Sequence, residues 1–152
     1  MYRLIFLVNA LVEGIPALLT LLAHIQGNGF PYLFPHASGI PQAELAAETA
    51  VLLMLTFATL PSLYIALSPA LPISATKPVA LGALAYHTFI SLACLNRAVN
   101  VLPAIGPHTI GADVKAEWQM LGWSAVALHS GLAGAFVWVL RGGRSVPHRK
   151  ER

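Results

Sequence analysis

Four stretches of the chain stay apolar for longer than a soluble helix requires: roughly Tyr2–Ile25, Glu44–Leu67, Lys77–Val101 and Glu117–Leu140. The hydrocarbon core of a bilayer is about 30 Å thick and takes about 20 helical residues to cross. Each stretch therefore predicts one transmembrane helix. Between them the pattern changes to turn chemistry. GNGFPYLFPHASGIPQ (27–42) and LPAIGPHTIGAD (102–113) are rich in glycine and proline, SPALPISATKP (68–78) is rich in proline, and all three read as loops. No period-two alternation lasts a strand's length, and no internal repeat stands out. The pattern predicts an all-α polytopic membrane protein. Residues 1–141 form one four-helix transmembrane bundle, and 142–152 form a basic tail.

Composition strengthens this reading. Of 152 residues, 57% are hydrophobic and 10% charged, whereas soluble domains carry about 25% charged residues. So small a chain would lack the polar residues to cover itself in water. The formal charge of +3 and pI near 9.4 do not imply nucleic acid, because the cations sit at the chain's end and at helix ends rather than on one polar face. Cys94 is the only cysteine, which excludes an intrachain disulfide and a CxxC metal site; in its apolar run it reads as a small packed residue. Asn9, Glu13 and Pro16 interrupt the first stretch, and LLTLLAHIQG offers no small-x-small cleavage site. A retained helix is expected rather than a signal peptide.

Lysine and arginine fix the expected orientation. With four spans, both termini and the 68–78 loop share a side that holds seven cations: Arg3, Lys77, Arg141, Arg144, Arg149, Lys150 and Arg152. The opposite side holds two, Arg97 and Lys115. The positive-inside rule then places both termini in the cytosol. Trp118 and Trp123 fall toward the outer interface, and Trp138, Tyr64 and Tyr2 toward the cytosolic one, as an aromatic belt would. The tail RGGRSVPHRKER can meet anionic lipid headgroups. Its last four residues resemble a dilysine-type retrieval signal of the endoplasmic reticulum, which generic cytosolic charge explains equally well.

The candidate chemistry lies at mid-membrane. Glu13 is ten residues from Arg3, about 15 Å in at 1.5 Å per residue. His87 is ten residues past Lys77, and His129 is twelve from both Glu117 and Arg141. Three helices thus place an ionisable group at one depth, where a charge costs at least ~2.5–3.5 kcal/mol. Such groups face inward and pair, so Glu13 is expected to meet His87, His129 or both. Asn9, Glu13, Pro16, Thr20 and His24 share a helical face, as do Ala83, His87, Ser91 and Cys94. Ala127, Gly131 and Ala135 form a small-xxx-small strip that permits close helix contact. The second helix contributes Glu44, Glu48, Thr56 and Thr59. Glu48 and Arg97 reach one level as an outer ion pair, near Asn96, Asn100 and Glu117. Pro16 and Pro61 remove helical donors and disturb the carbonyls of Val12 and Phe57; a kink beside Glu13 could open a pocket, although membrane helices also tolerate such prolines for packing alone.

A buried carboxylate beside imidazoles is equipment for proton transfer. Glu13, His87 and His129 are therefore the candidate catalytic residues. Asn9, Thr20, Tyr86, Thr56, Glu48 and Arg97 are the candidate ligand contacts. The two histidines could also be axial haem ligands at matched depth, but Glu13 would be an odd third partner, and no cofactor is expected. No HExxH or Cys/His spacing marks a metal site. A non-enzymatic reading treats the same groups as interhelical glue in a membrane subunit or scaffold, and transport through a homo-oligomer is a further one. His36, His108 and Asp113 read as solvated loop residues. The expected partners are membrane lipids, a lipophilic small molecule and further copies of the chain, with no nucleic acid.

Several short elements resemble the EXPERA group of small four-helix membrane proteins, which includes emopamil-binding proteins. These are Ile15-Pro16 in the first helix, Phe34-Pro35 in the loop after it, Leu60-Pro61 followed by Tyr64, and Pro78 followed by Tyr86-His87-Thr88. The layout of four spans, cytosolic termini and basic tail is similar over most of the chain. The resemblance implies a pocket in which membrane-embedded acids bind cationic or sterol ligands, with sterol isomerisation in some members. Leu55 and Thr56 stand where the group has an acid before Leu-Pro, Glu48 is too far upstream, and Glu13 precedes Ile15-Pro16. The ligand pocket carries over better than the isomerase activity. DoxX-like four-helix proteins match the layout equally.

Overall fold

The computed structural model describes residues 1–30, 41–99 and 112–142, with the side chains of 96–98 and 112–121 outside the description. The described residues are helical, with no strand among them. Helix α1 is Tyr2–Ile25, α2 is Pro41–Leu53, a π-helical segment covers Met54–Thr59, α3 is Leu60–Leu67, α4 is Ile73–Val99 and α5 is Ala112–Leu140. Since α2, the π segment and α3 run on as one rod, four helices are long and apolar enough to cross a membrane: Tyr2–Ile25, Pro41–Leu67, Ile73–Leu95 and Gly122–Leu140. The expected four-span all-α class is met, and the first span begins and ends where the pattern placed it.

One loop is shorter than expected. The helix expected from Lys77 begins four residues earlier, at Ile73, so the last six residues of SPALPISATKP, from Ile73 to Pro78, belong to α4. Proline marks turns, but Pro78 lies inside α4, where it removes one helical donor without ending the helix. The Ala75 N–H donates to the Pro72 carbonyl at 3.0 Å, and the Thr76 hydroxyl donates to the Ile73 carbonyl at 2.7 Å. Together they close the first turn ahead of Pro78. Helix α5 likewise starts at Ala112, inside the expected 102–113 loop.

The faces of the helices carry an inverted polarity. On α1 the exposed positions include Leu4, Val8, Leu11, Ile15, Leu18, Leu22 and Ile25, while Phe6, Asn9, Ala10, Glu13, Gly14, Ala17, Thr20 and Ala23 are buried. Helix α4 repeats this: Thr76, Ala80, Ala83 and His87 are buried, and Leu81, Phe89 and Leu92 are exposed. In water this arrangement would forfeit the hydrophobic driving force. Against lipid it is the expected one, because lipid tails are as apolar as leucine and the polar groups must turn inward.

The chain divides into two compact units, residues 3–71 and 72–152. In the first, the Arg3 guanidinium donates to the Pro69 carbonyl, so the start of α1 lies beside the end of α3 and the two spans run antiparallel. α1 ends in a Schellman turn: Gly27 at φ 78 lets its own N–H reach the His24 carbonyl and that of Asn28 reach Ala23, both at 2.9 Å. A left-handed residue at this position favours glycine. In the second unit α4 and α5 pack against each other.

The proline in the second span acts on the backbone upstream of it. Pro61 has no N–H and its ring crowds the carbonyl four residues back, which is Phe57. The helix widens there: the Leu60 N–H bonds the Leu55 carbonyl, five residues back. The disturbance expected at Phe57 therefore takes the form of a π segment. Its last residue, Thr59, packs on α1 at Gly14, where an added Cβ would stand 2.6 Å from the Thr59 Cγ2. Gly14→Ala is therefore expected to destabilise the protein by about 1–3 kcal/mol, the usual cost of overpacking. Thr59→Ser, which removes the clashing methyl, should restore most of that loss in the double variant. Thermal unfolding in detergent measures both.

Candidate functional site

Membrane helices leave few places for polar side chains, and here they gather in two buried centres, one in each unit. The first is built on the polar face of α1. Asn9 is fully buried, and its amide donates to the Ser62 hydroxyl at 2.8 Å and to the Ala58 carbonyl at 3.4 Å. These acceptors flank Pro61, so one side chain ties α1 to the segment the proline disturbs. One turn further along, Glu13 is 1% exposed. Thr20, two turns beyond Glu13 on the same face, is also fully buried.

The threonines divide into two kinds. A threonine inside a helix can satisfy its hydroxyl on the carbonyl three or four residues back. Thr49 does so on Leu45, Thr76 on Ile73 and Thr88 on Leu84, at 2.7–2.8 Å. Thr20 and Thr59 do not; their buried hydroxyls have no hydrogen-bond partner among the described residues. For Thr59 a reason is at hand, since its methyl fills the space above Gly14.

The second centre joins α4 and α5. The Nδ1 atoms of His87 and His129 are 2.9 Å apart, and His87 is fully buried. One ring must donate and the other accept, so two neutral rings take opposite tautomers. Aromatic neighbours brace them. Phe136 stacks on His87 at 5.8 Å between centroids, and Tyr86 sets its ring edge-on to His87 at 5.0 Å and to His129 at 6.4 Å. One turn along α4, Ser91 accepts a hydrogen bond from the Ser130 hydroxyl at 3.3 Å.

Of the residues selected from sequence, the structure brings together His87, His129 and Tyr86, and separately joins Asn9 to Ser62. Glu13 and Thr20 are buried on α1, as their shared face required. Glu13 belongs to the first unit and the histidines to the second, and each unit stands on its own description. Thr56 lies on an exposed part of the π segment, and Glu44 and Glu48 are half-buried. The Arg97 side chain, with Asn96, Asn100, Glu117, His36, His108, Asp113 and the 143–152 tail, lies outside the described residues. The small-residue strip of α5 faces outward: Ala127 and Gly131 are exposed, and a Cβ on Gly131 would meet nothing within 4 Å. The buried face of α5 instead carries Leu132, Phe136 and Val139, which follow His129 at helical spacing.

Axial haem ligation by the histidine pair does not suit this geometry. Two axial nitrogens lie on opposite sides of one iron with the macrocycle between them, whereas these two are in direct hydrogen-bond contact. Ser62 and Phe136 were not among the sequence candidates. Depth counting would have found Ser62, since Asn9 and Ser62 each lie six residues from a membrane-end residue, Arg3 and Ser68. No family model, curated protein or solved structure matches the chain.

The Asn9–Ser62 bond should be measurable. Polar contacts between membrane helices couple by about 0.6 kcal/mol on average and up to about 1.7. A double-mutant cycle with Asn9→Ala and Ser62→Ala, read by unfolding in detergent, is expected to return a coupling in that range. A value of zero would mean the bond contributes nothing.

Proposed function

We propose that this integral membrane protein binds or processes a lipophilic small molecule through its intramembrane polar groups, with Glu13 in the first unit and His87 and His129 in the second as candidate proton-transfer groups. The observation that carries the reading is the hydrogen-bonded His87–His129 pair within two membrane-spanning helices. Burial of the Glu13 carboxylate supports it, because intramembrane ionisable groups are costly and tend to persist where they serve a ligand or proton path. Paired imidazoles can take a proton at one ring while releasing one from the other, and a carboxylate can balance a cationic ligand. Asn9, Thr20 and Tyr86 are the nearest candidates for ligand contacts by burial and helical face; Thr56, Glu48 and Arg97 are the more peripheral ones. An EXPERA-like ligand class, cationic amphiphiles or sterols, follows from the resemblance of the Leu60-Pro61 and Tyr86-His87 elements.

A second reading makes the same groups interhelical glue without chemistry. The His87–His129 and Ser91–Ser130 bonds favour it, because both bridge α4 and α5. The two readings separate on Glu13→Gln, an isosteric change that keeps the hydrogen-bonding shape. In the ligand reading, the variant keeps its thermal stability in detergent but loses binding of a dansylated long-chain alkylamine by about tenfold or more, the order expected for a charge-assisted contact. In the glue reading, stability falls and the purified wild type shows no saturable binding of the probe.

The proposed topology has both termini in the cytosol, from the positive-inside count, and the loose terminal retrieval signal favours the endoplasmic reticulum. In a Cys94→Ala background, single cysteines placed within 142–152 should react with a membrane-impermeant maleimide only after the plasma membrane is permeabilised. Labelling only after the internal membrane is permeabilised as well, or labelling in intact cells, would reverse the orientation.

A further inference from the structure

We propose that the His87–His129 pair is a binding site for a borderline divalent transition-metal ion such as zinc or cobalt. The two Nδ1 atoms converge at 2.9 Å on adjacent helices. Imidazole nitrogens bind such ions at about 2.0–2.1 Å, which sets the edge of a tetrahedral site at about 3.3–3.4 Å. Opening the pair by about 0.4 Å and turning each ring brings both Nδ1 atoms to the edge of one such site. What now lies between them is a proton. An ion would replace it, and the donating ring would take its other tautomer, its proton passing from Nδ1 to Nε2, so that both Nδ1 lone pairs face the metal.

The surroundings suit that exchange. Phe136 stacked on His87 and Tyr86 edge-on to both rings fix their planes, which is how neighbouring groups pre-orient metal ligands. Imidazole selects zinc, copper, nickel and cobalt over magnesium and calcium, which prefer oxygen. Two protein ligands leave coordination positions open. A bound ion could hold there a water or the polar group of a ligand, so this site deepens the ligand reading given above and rests on the same histidines.

The test uses the full chain without an affinity tag, purified in detergent, stripped with EDTA and reloaded with zinc. About one ion per chain should survive desalting, as binding to a defined ligand pair implies. His87→Ala and His129→Ala should each lower retention by about tenfold, given the ligand lost. No retention by folded wild type, or equal retention by the double variant, overturns the proposal; equal retention would assign the ion to His24, His36, His108 or His148. Should the variants fail to fold, as judged by circular dichroism, cobalt bound to the wild type decides. Intense visible bands of a tetrahedral nitrogen-ligated ion support the site, and the pale spectrum of hydrated cobalt overturns it. The alkylamine is assayed on EDTA-stripped protein, so binding of the amine without uptake of metal removes only the metal site. Uptake of metal without binding of the amine removes only the ligand.

Discussion

A bilayer offers no water to satisfy a buried donor or acceptor, and the arrangement of this chain follows from that constraint. Every polar side chain within a span must find a partner in the protein or bear the cost of desolvation. The consequence is visible on α1, where leucine, isoleucine and valine face outward and asparagine, glutamate and threonine face inward. Asn9 meets the constraint through Ser62 and Ala58. His87 and His129 meet it through each other. Thr49, Thr76 and Thr88 meet it within their own helices. The groups that depart from this economy are the informative ones, and Thr20, fully buried with its hydroxyl unpartnered among the described residues, is the clearest.

The sequence pattern carried the spans well, because membrane helices are specified by length and apolarity, which are local properties. Tyr2–Ile25 was readable to the residue, and so was the buried face through Asn9, Glu13 and Thr20, since period 3.6 is itself local. Depth counting placed His87 and His129 at one level, and the structure joins them. Other features depend on three-dimensional competition. The prolines of SPALPISATKP suggest a loop, but a hydroxyl and a backbone carbonyl close the first turn of α4 before Pro78. Pro61 signalled a disturbance without saying whether the backbone would kink or widen. On α5, Ala127 and Gly131 offered a smooth surface, yet Leu132, Phe136 and Val139 took the buried side. Small residues permit close contact and do not compel it.

The histidine pair and Asn9 illustrate two ways of using polarity in lipid. Asn9 lies beside a point where a proline has disturbed the helix, and its amide supplies a donor near the missing one. That role is structural and needs no change of protonation. The histidine pair differs because its bond depends on a mobile proton, and a single particle placed between two nitrogens can be exchanged for another. A polar contact that only held helices together could use asparagine or serine, as the Ser91–Ser130 contact beside it does. Imidazoles add the capacity to gain or lose that particle without rearranging the backbone.

The bond from Arg3 to the Pro69 carbonyl bears on how the protein is made. Arg3, Asn9 and Gly14 find their partners at Pro69, Ser62 and Thr59, all within the first 71 residues. These contacts are available as soon as the second span has left the ribosome, before α4 exists. The first two helices can therefore close as a latched hairpin during synthesis, with the guanidinium fastening one end and the asparagine the middle. The third and fourth spans, joined by the His87–His129 bond, come later in the chain. The order of the contacts along the chain thus lets the first hairpin close before the second has been made.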